Sequence, residues 1–120
     1  MAKDLKISLL LDFYGDMLTE KQREVVDFYY NDDLSLSEIA ENEGITRQGV
    51  RDSIKRAEAQ LVEMEERLGL VKRFRDMEEG LERIREAADR IQQYNERNVY
   101  AREIEDNAKL IAGIARGLCE

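Results

Sequence analysis

Apolar residues recur along this chain at spacings of three and four almost from end to end, and no stretch shows the alternation that a strand requires. The first run, residues 4–17 (DLKISLLLDFYGDM), predicts a helix: Leu5, Leu9, Phe13 and Met17 fall every four residues, with Leu10 and Tyr14 beside them. Gly15 weakens its last turn. Thr19 and Gln22 form a capping box that opens a second helix over residues 20–31. Val25, Val26, Phe28, Tyr29 and Tyr30 make that helix apolar enough to be covered on two faces, and Asn31, Asp32 and Asp33 end it.

Residues 35–56 (SLSEIAENEGITRQGVRDSIKR) predict two short helices joined by a tight turn. Ser35 and Glu38 make another capping box. Ile39 and Ala40 face inward, and Gly44 stops the helix because it alone takes a positive φ at no steric cost. Ile45 plugs the corner, and Thr46 caps the next helix with its side-chain oxygen. Val50, Ile54 and Ala57 form that helix's buried stripe, while Arg47, Gln48, Arg51 and Lys55 point the other way. A small Ala, a Gly four residues on and apolar residues at fixed offsets after it are the steric requirements of a helix-turn-helix.

The stripe of the second helix continues through Leu61, Met64 and Leu68 as far as Gly69, where the pattern breaks. Leu70, Phe74, Met77, Leu81, Ile84, Ala88 and Ile91 then alternate spacings of four and three, which makes three heptads, with Gly80 a weak point. Residues 95–98 predict an interruption, and a last helix over about residues 99–117 carries Tyr100, Ile104, Ala108, Ile111, Ala115 and Leu118 on one stripe. The fold class expected is all-α: a helix-turn-helix bundle over residues 1–69 and a heptad-like helical segment over 70–120 for packing or dimerisation. Three heptads are marginal alone. The seam either pairs with its copy in a second chain or folds back onto residues 47–68 and the last helix. The homodimer is favoured, and it would place two reading helices on one side, where successive half-sites need about 34 Å between centres.

The absence of Pro lets long helices run unbroken, and 38% of residues are charged, so many surface positions carry charge. The single Cys119 cannot make an internal disulfide, so a reducing cytoplasm is expected. No apolar run approaches a membrane span or a signal segment. The absence of His and of clustered Cys leaves no catalytic base of the usual kind and no metal ligand set. The acids show no calcium-loop spacing, and there is no phosphate-cradling Gly loop. The Glu65–Glu66 and Glu78–Glu79 pairs are expected on solvated faces, and Tyr14, Tyr29 and Tyr30 in the core. No enzymatic activity, cofactor or metal is therefore expected.

The net charge of −8 opposes nucleic-acid binding, but its distribution changes the picture. Residues 47–56 carry Arg47, Arg51, Lys55 and Arg56 against Asp52 alone, while residues 20–43 are strongly acidic. Any DNA or RNA contact is confined to one helix face. There, Thr46 and Gln48 sit at a positive helix N-terminus near phosphates, Arg47 and Arg51 reach base edges, and Lys55 and Arg56 touch the backbone. Alternatively the arginines pair with Glu58 and Asp52 and the three helices are scaffold.

From Leu18 to Leu61 the sequence (LTEKQREVVDFYYNDDLSLSEIAENEGITRQGVRDSIKRAEAQL) resembles region four of bacterial sigma factors, a helical module whose helix-turn-helix reads promoter DNA. The first 75 residues, from LLLDFYGDM through RLGLVKRF, are similar to the YlxM family of small helix-turn-helix proteins. That resemblance implies an all-helical protein, a regulatory role, and a link to the signal recognition particle pathway through neighbouring genes. Family members commonly have Ala where Gly49 stands and Tyr where Arg51 stands, so the base preference of this chain differs from theirs. The function expected is a DNA-binding regulator using a sigma-region-four-like helix-turn-helix. The alternative is an accessory of the signal recognition particle contacting its protein or RNA.

Overall fold

The first four α-helices of the computed structural model, which describes residues 3–119, each begin or end on a group chosen by local chemistry. α1 (Leu5–Tyr14) starts at Asp4, whose carboxylate accepts from the Lys6 N–H, and passes into a 3₁₀ turn at Gly15–Met17. α2 (Glu20–Tyr30) and α3 (Leu36–Glu43) open on complete capping boxes, Thr19/Gln22 and Ser35/Glu38. α3 stops at Gly44, φ +66°, and α4 (Arg47–Leu68) stops at Gly69, φ +62°, both left-handed. Asp33, φ 56°, turns the chain between α2 and α3 while the Leu34 N–H reaches back to the Phe28 carbonyl at 3.0 Å. α5 covers Leu70–Arg97 and α6 Arg102–Cys119, and no strand occurs among the described residues.

The chain divides into two compact units, Met1–Val71 and Lys72–Glu120. In the first, α4 is the central strut against which α1, α2 and α3 all pack. Two groups of buried side chains flank it. One gathers Ile7, Leu10, Leu11, Tyr14 and Leu18 of the N-terminal segment with Val26, Ala57 and Leu61. The other gathers Val25, Tyr29, Ile39, Val50 and Ile54 under the helix-turn-helix. α2 serves both groups, which is why it reads apolar on two sides. Lys3 lies 4.6 Å from the centre of the Tyr29 ring and pairs with Asp33, closing the N-terminal end over α2.

α1 buries a different face from the one its four-residue spacing predicts. Ile7, Leu10, Leu11 and Tyr14 are inside, whereas Leu5 and Met17 are 83% and 61% exposed. Eight of the ten α1 residues other than Lys6 and Asp12 are apolar or small, so periodicity alone leaves the facing undecided. Ile45 likewise does not plug the corner but stands 39% exposed.

The first turn of α5 has no side-chain cap of its own. The Leu70 N–H donates to the Tyr14 hydroxyl at 3.1 Å, and the Val71 N–H donates to Glu65 Oε1 at 3.0 Å. Tyr14 in turn donates to Glu65 Oε1 at 2.6 Å. α1 and α4 thus supply the acceptors that free helix-start N–H groups require. Glu65 is half-buried and engaged here, not part of a solvated face. The Tyr14 phenol is held above its ordinary pKa by burial and by the neighbouring Glu65 carboxylate.

The second unit is a helical hairpin. Its interruption falls at residues 98–101 rather than 95–98: Asn95 lies inside α5 and is buried, and its amide bonds the Ala101 carbonyl (2.9 Å) and N–H (3.0 Å). α6 consequently starts three residues later than expected, and Tyr100 lies before it. Gly80 does not interrupt α5. The buried side chains of the hairpin are Ala88, Ala108, Ala112 and Ala115, with Asn95 and Glu105. Glu105 accepts from Gln92 at 3.1 Å and pairs with Lys109 at 3.3 Å, while its other oxygen has no partner. Its place in the first turn of α6, where the helix dipole is positive, favours a negative charge there.

Candidate nucleic-acid interface

α3 and α4 form the helix-turn-helix on which the basic residues are mounted. Ile39, Val50 and Ile54 are fully buried beneath it, so the crossing of the two helices is set by close-packed side chains. Thr46 is the N-cap of α4, and its hydroxyl accepts from the Gly49 N–H at 2.9 Å. The absence of a side chain at Gly49 serves this cap. A Cβ there would lie 3.1 Å from the Thr46 hydroxyl and 3.7 Å from Ile45, so it faces the turn and not an approaching phosphate.

Thr46, Arg47, Gln48, Arg51, Lys55 and Arg56 are all exposed. Arg47, Arg51 and Lys55 climb the first turns of α4 at four-residue intervals and share one side of the helix, with Arg56 next to Lys55. Among the described residues none of these four cations forms an ion pair or side-chain hydrogen bond. The two acids nearest in sequence are occupied otherwise: Asp52 accepts from Gln48 at 3.0 Å, and Glu58 accepts from the Tyr30 hydroxyl at 2.6 Å. The Tyr30 phenol is pushed well above its ordinary pKa by burial and by that Glu58 contact, so it stays a donor. The scaffold alternative, arginines tied to Asp52 and Glu58, is not the arrangement in this structure.

Leu36, at the start of α3, joins Arg47, Gln48 and Arg51 around a shallow hollow of about 310 Å³. Leu36 is half-buried, and its part in this surface has no signal in the sequence beyond its position after the Ser35 cap. Thr46 and Gln48 are both partly committed, one to a cap and the other to Asp52, which leaves the arginines and lysine as the freely directed groups. Among the described residues no group of three or more His, Cys, Asp or Glu side chains could hold a metal ion, and no helix is long and apolar enough to cross a membrane.

Capping boxes, a left-handed Gly between α3 and α4, and an exposed N-terminal face on the second helix define a helix-turn-helix protein. Residues 1–104 match the family model described as "Putative helix-turn-helix protein, YlxM / p13 like", and the chain belongs to that family. It is similar to a UPF0122 protein of Halalkalibacterium halodurans, 49% identical over 90 residues that make up 75% of this chain and 83% of the relative. A UPF0122 protein of Clostridium kluyveri is 45% identical over 98 residues, 82% of this chain and 86% of the relative. One of Acetivibrio thermocellus is 57% identical over 74 residues, 62% of this chain and 63% of the relative. The family model ends at residue 104, so nearly all of α6 lies beyond it.

Proposed function

We infer that this protein is a cytoplasmic, homodimeric, DNA-binding regulator that presents the N-terminal half of α4 to the duplex. The observation that carries the reading is the row Arg47, Arg51, Lys55 and Arg56: exposed, and free of carboxylate partners in a protein of net charge −8. A cation without an internal partner is available to displace counterions from phosphates, and a helix start capped by Thr46 adds a positive dipole beside it. Arg47 and Arg51 stand at the end of α4 that enters a major groove in this class of motif, where guanidinium groups read guanine edges. Lys55 and Arg56, a turn further on, reach the backbone. If all four neutralise phosphates, the salt slope is about −3.6 per chain and about −7 for a dimer.

Replacing Arg47 and Arg51 together by Ala tests the reading in a fragment-binding screen at two salt concentrations. Loss of binding at low salt, with a slope reduced by about 2 per chain, is expected. Binding unchanged in strength and slope would remove α4 as the reading helix. The acidic belt of α2 and α3 supports a second reading, an accessory of the signal recognition particle that meets a basic protein partner through that belt, with the helix-turn-helix as scaffold or in contact with the particle's RNA. Pull-down from lysate with and without nuclease separates the two. A nuclease-resistant association with the particle's protein favours the second reading.

A further inference from the structure

We propose that the α5–α6 hairpin carries the homodimer interface, and that its occupant is the same face of a second copy, giving a four-helix assembly. This deepens the homodimer put forward above and does not depend on whether α4 touches nucleic acid. The hairpin closes on alanines and keeps its large side chains outside. Met77, Ile84 and Ile91 of α5 and Ile104, Ile111 and Leu118 of α6 are each 43–59% exposed. Each set is spaced by seven residues, so each forms a straight stripe along its helix.

Two contacts set the antiparallel register of the helices. Gln92 donates to Glu105 at 3.1 Å, and the Cys119 thiol lies 3.8 Å from the Glu78 carbonyl. In that antiparallel register Ile91, Ile84 and Met77 come within two residues, about 3 Å along the axis, of the levels of Ile104, Ile111 and Leu118. At 1.5 Å per residue the three layers follow one another at about 10 Å intervals on one side of the hairpin. A hollow of about 530 Å³ between Ile91, Tyr94, Val99 and Ile104 joins the two helices on that side. The expected heptad seam is therefore divided. Ala88 turns to α6, and Met77, Ile84 and Ile91 turn aside from it.

A second copy fits this face better than an unrelated protein for two reasons. First, the face carries both knobs and holes. Gly80 and Ala87 leave a hollow of about 410 Å³ beside Ile84, and nothing lies within 4 Å of a Cβ built on Gly80. An isologous interface needs this self-complementarity, since each protruding residue meets the recess of the symmetric copy. Second, the area suffices. The six side chains leave on the order of 600 Å² open, the top of the roughly 300–600 Å² range for a monomer's largest apolar patch. Two copies face to face, with Tyr94 and Val99 included, reach the ~1,200 Å² lower bound of a specific interface.

Sedimentation equilibrium of the full chain without nucleic acid tests the proposal. Wild type is expected at twice its 14.0 kDa mass at micromolar concentration. Ile84→Ala combined with Ile111→Ala preserves helix propensity and should weaken association ~100-fold or more. Leu5→Ala, at an exposed apolar position of the first unit, should leave the mass unchanged. Circular dichroism of the double variant at high concentration, with helix retained, shows that the loss is one of association. A 14.0 kDa wild-type species would remove both the homodimer and this face. A dimer that persists undiminished in the double variant would remove the face while leaving the homodimer standing.

Discussion

The two units of this chain use apolar residues in opposite ways. In the first, Tyr14, Ile39, Ile54, Leu61, Val25, Val26 and Val50 are almost wholly removed from solvent, each on a helix that packs against at least one other. In the second, the buried hydrophobics among the described residues are alanines, and the isoleucines and leucines of both helices and Met77 of α5 stay partly in water. Both units have clear helical periodicity, so periodicity does not distinguish them. What differs is how many helices share the stripe: three helices around α4 enclose a core, and two helices by themselves leave one side of each uncovered. The first unit accordingly encloses its own core, and the hairpin keeps an apolar side uncovered.

The sharpest break of that contrast comes from truncating one isoleucine in each unit. Ile54→Ala should cost about 2–5 kcal/mol, because the side chain is fully enclosed and its cavity collapses only in part. Ile84→Ala, at a residue 47% exposed, should cost under about 1 kcal/mol when urea unfolding is followed on dilute, dissociated protein. Equal losses would mean that the hairpin is as well packed as the bundle.

Alkaline titration probes the first unit alone. Tyr14 and Tyr30 have pKa values raised in the folded protein, so the folded state retains phenol protons that the unfolded state releases near pH 10. Stability is therefore intact below pH 10 and falls as pH rises through and beyond that value. Absorbance at 295 nm should show two of the five tyrosines ionising late, together with the loss of helix. Tyr14→Phe should make the decline shallower. At neutral pH the same variant should lose about 1–3 kcal/mol, since the partly buried Leu70 N–H and Glu65 carboxylate each forfeit a partner. A variant as stable as wild type would show that α5 does not need this anchor.

The smallest effect is expected at the start of α4. Gly49→Ala gains up to about 1 kcal/mol of helix propensity, while its Cβ presses on the Thr46 hydroxyl at 3.1 Å. The net change in denaturation midpoint should be slight. A loss beyond about 2 kcal/mol would mean that the Thr46 cap cannot yield.

Much of the molecule was legible before any coordinates. The cap residues Thr19, Ser35 and Thr46 and the stops Gly44 and Gly69 place five helix ends correctly, because capping is chemistry between residues two to four apart. The stripe Val50, Ile54, Ala57 and Leu61 was equally readable, since α4 has one apolar face and a polar remainder. α1 was not, because its residues are apolar on every side and only α2 and α4 select which of them go inside. The Tyr14–Glu65–Leu70 junction was hidden for a related reason: its partners are 51 and 56 residues apart, and no local pattern links a tyrosine in α1 to the start of α5.

The same division holds for the candidate site and for the hairpin. Local sequence determined that a cationic row would lie along the start of α4, since spacing and helix pitch alone put Arg47, Arg51 and Lys55 on one side. Only the tertiary structure decided that this row is free, because Glu58 is engaged by Tyr30 from another helix. Heptad spacing determined that α5 and α6 would be amphipathic. Which side of each stripe meets its neighbour was decided by the packing of the hairpin, whose turn is closed by the reciprocal bonds of Asn95 with Ala101. Spacing along a helix is a local property of the backbone, whereas the facing of a helix depends on what is brought against it.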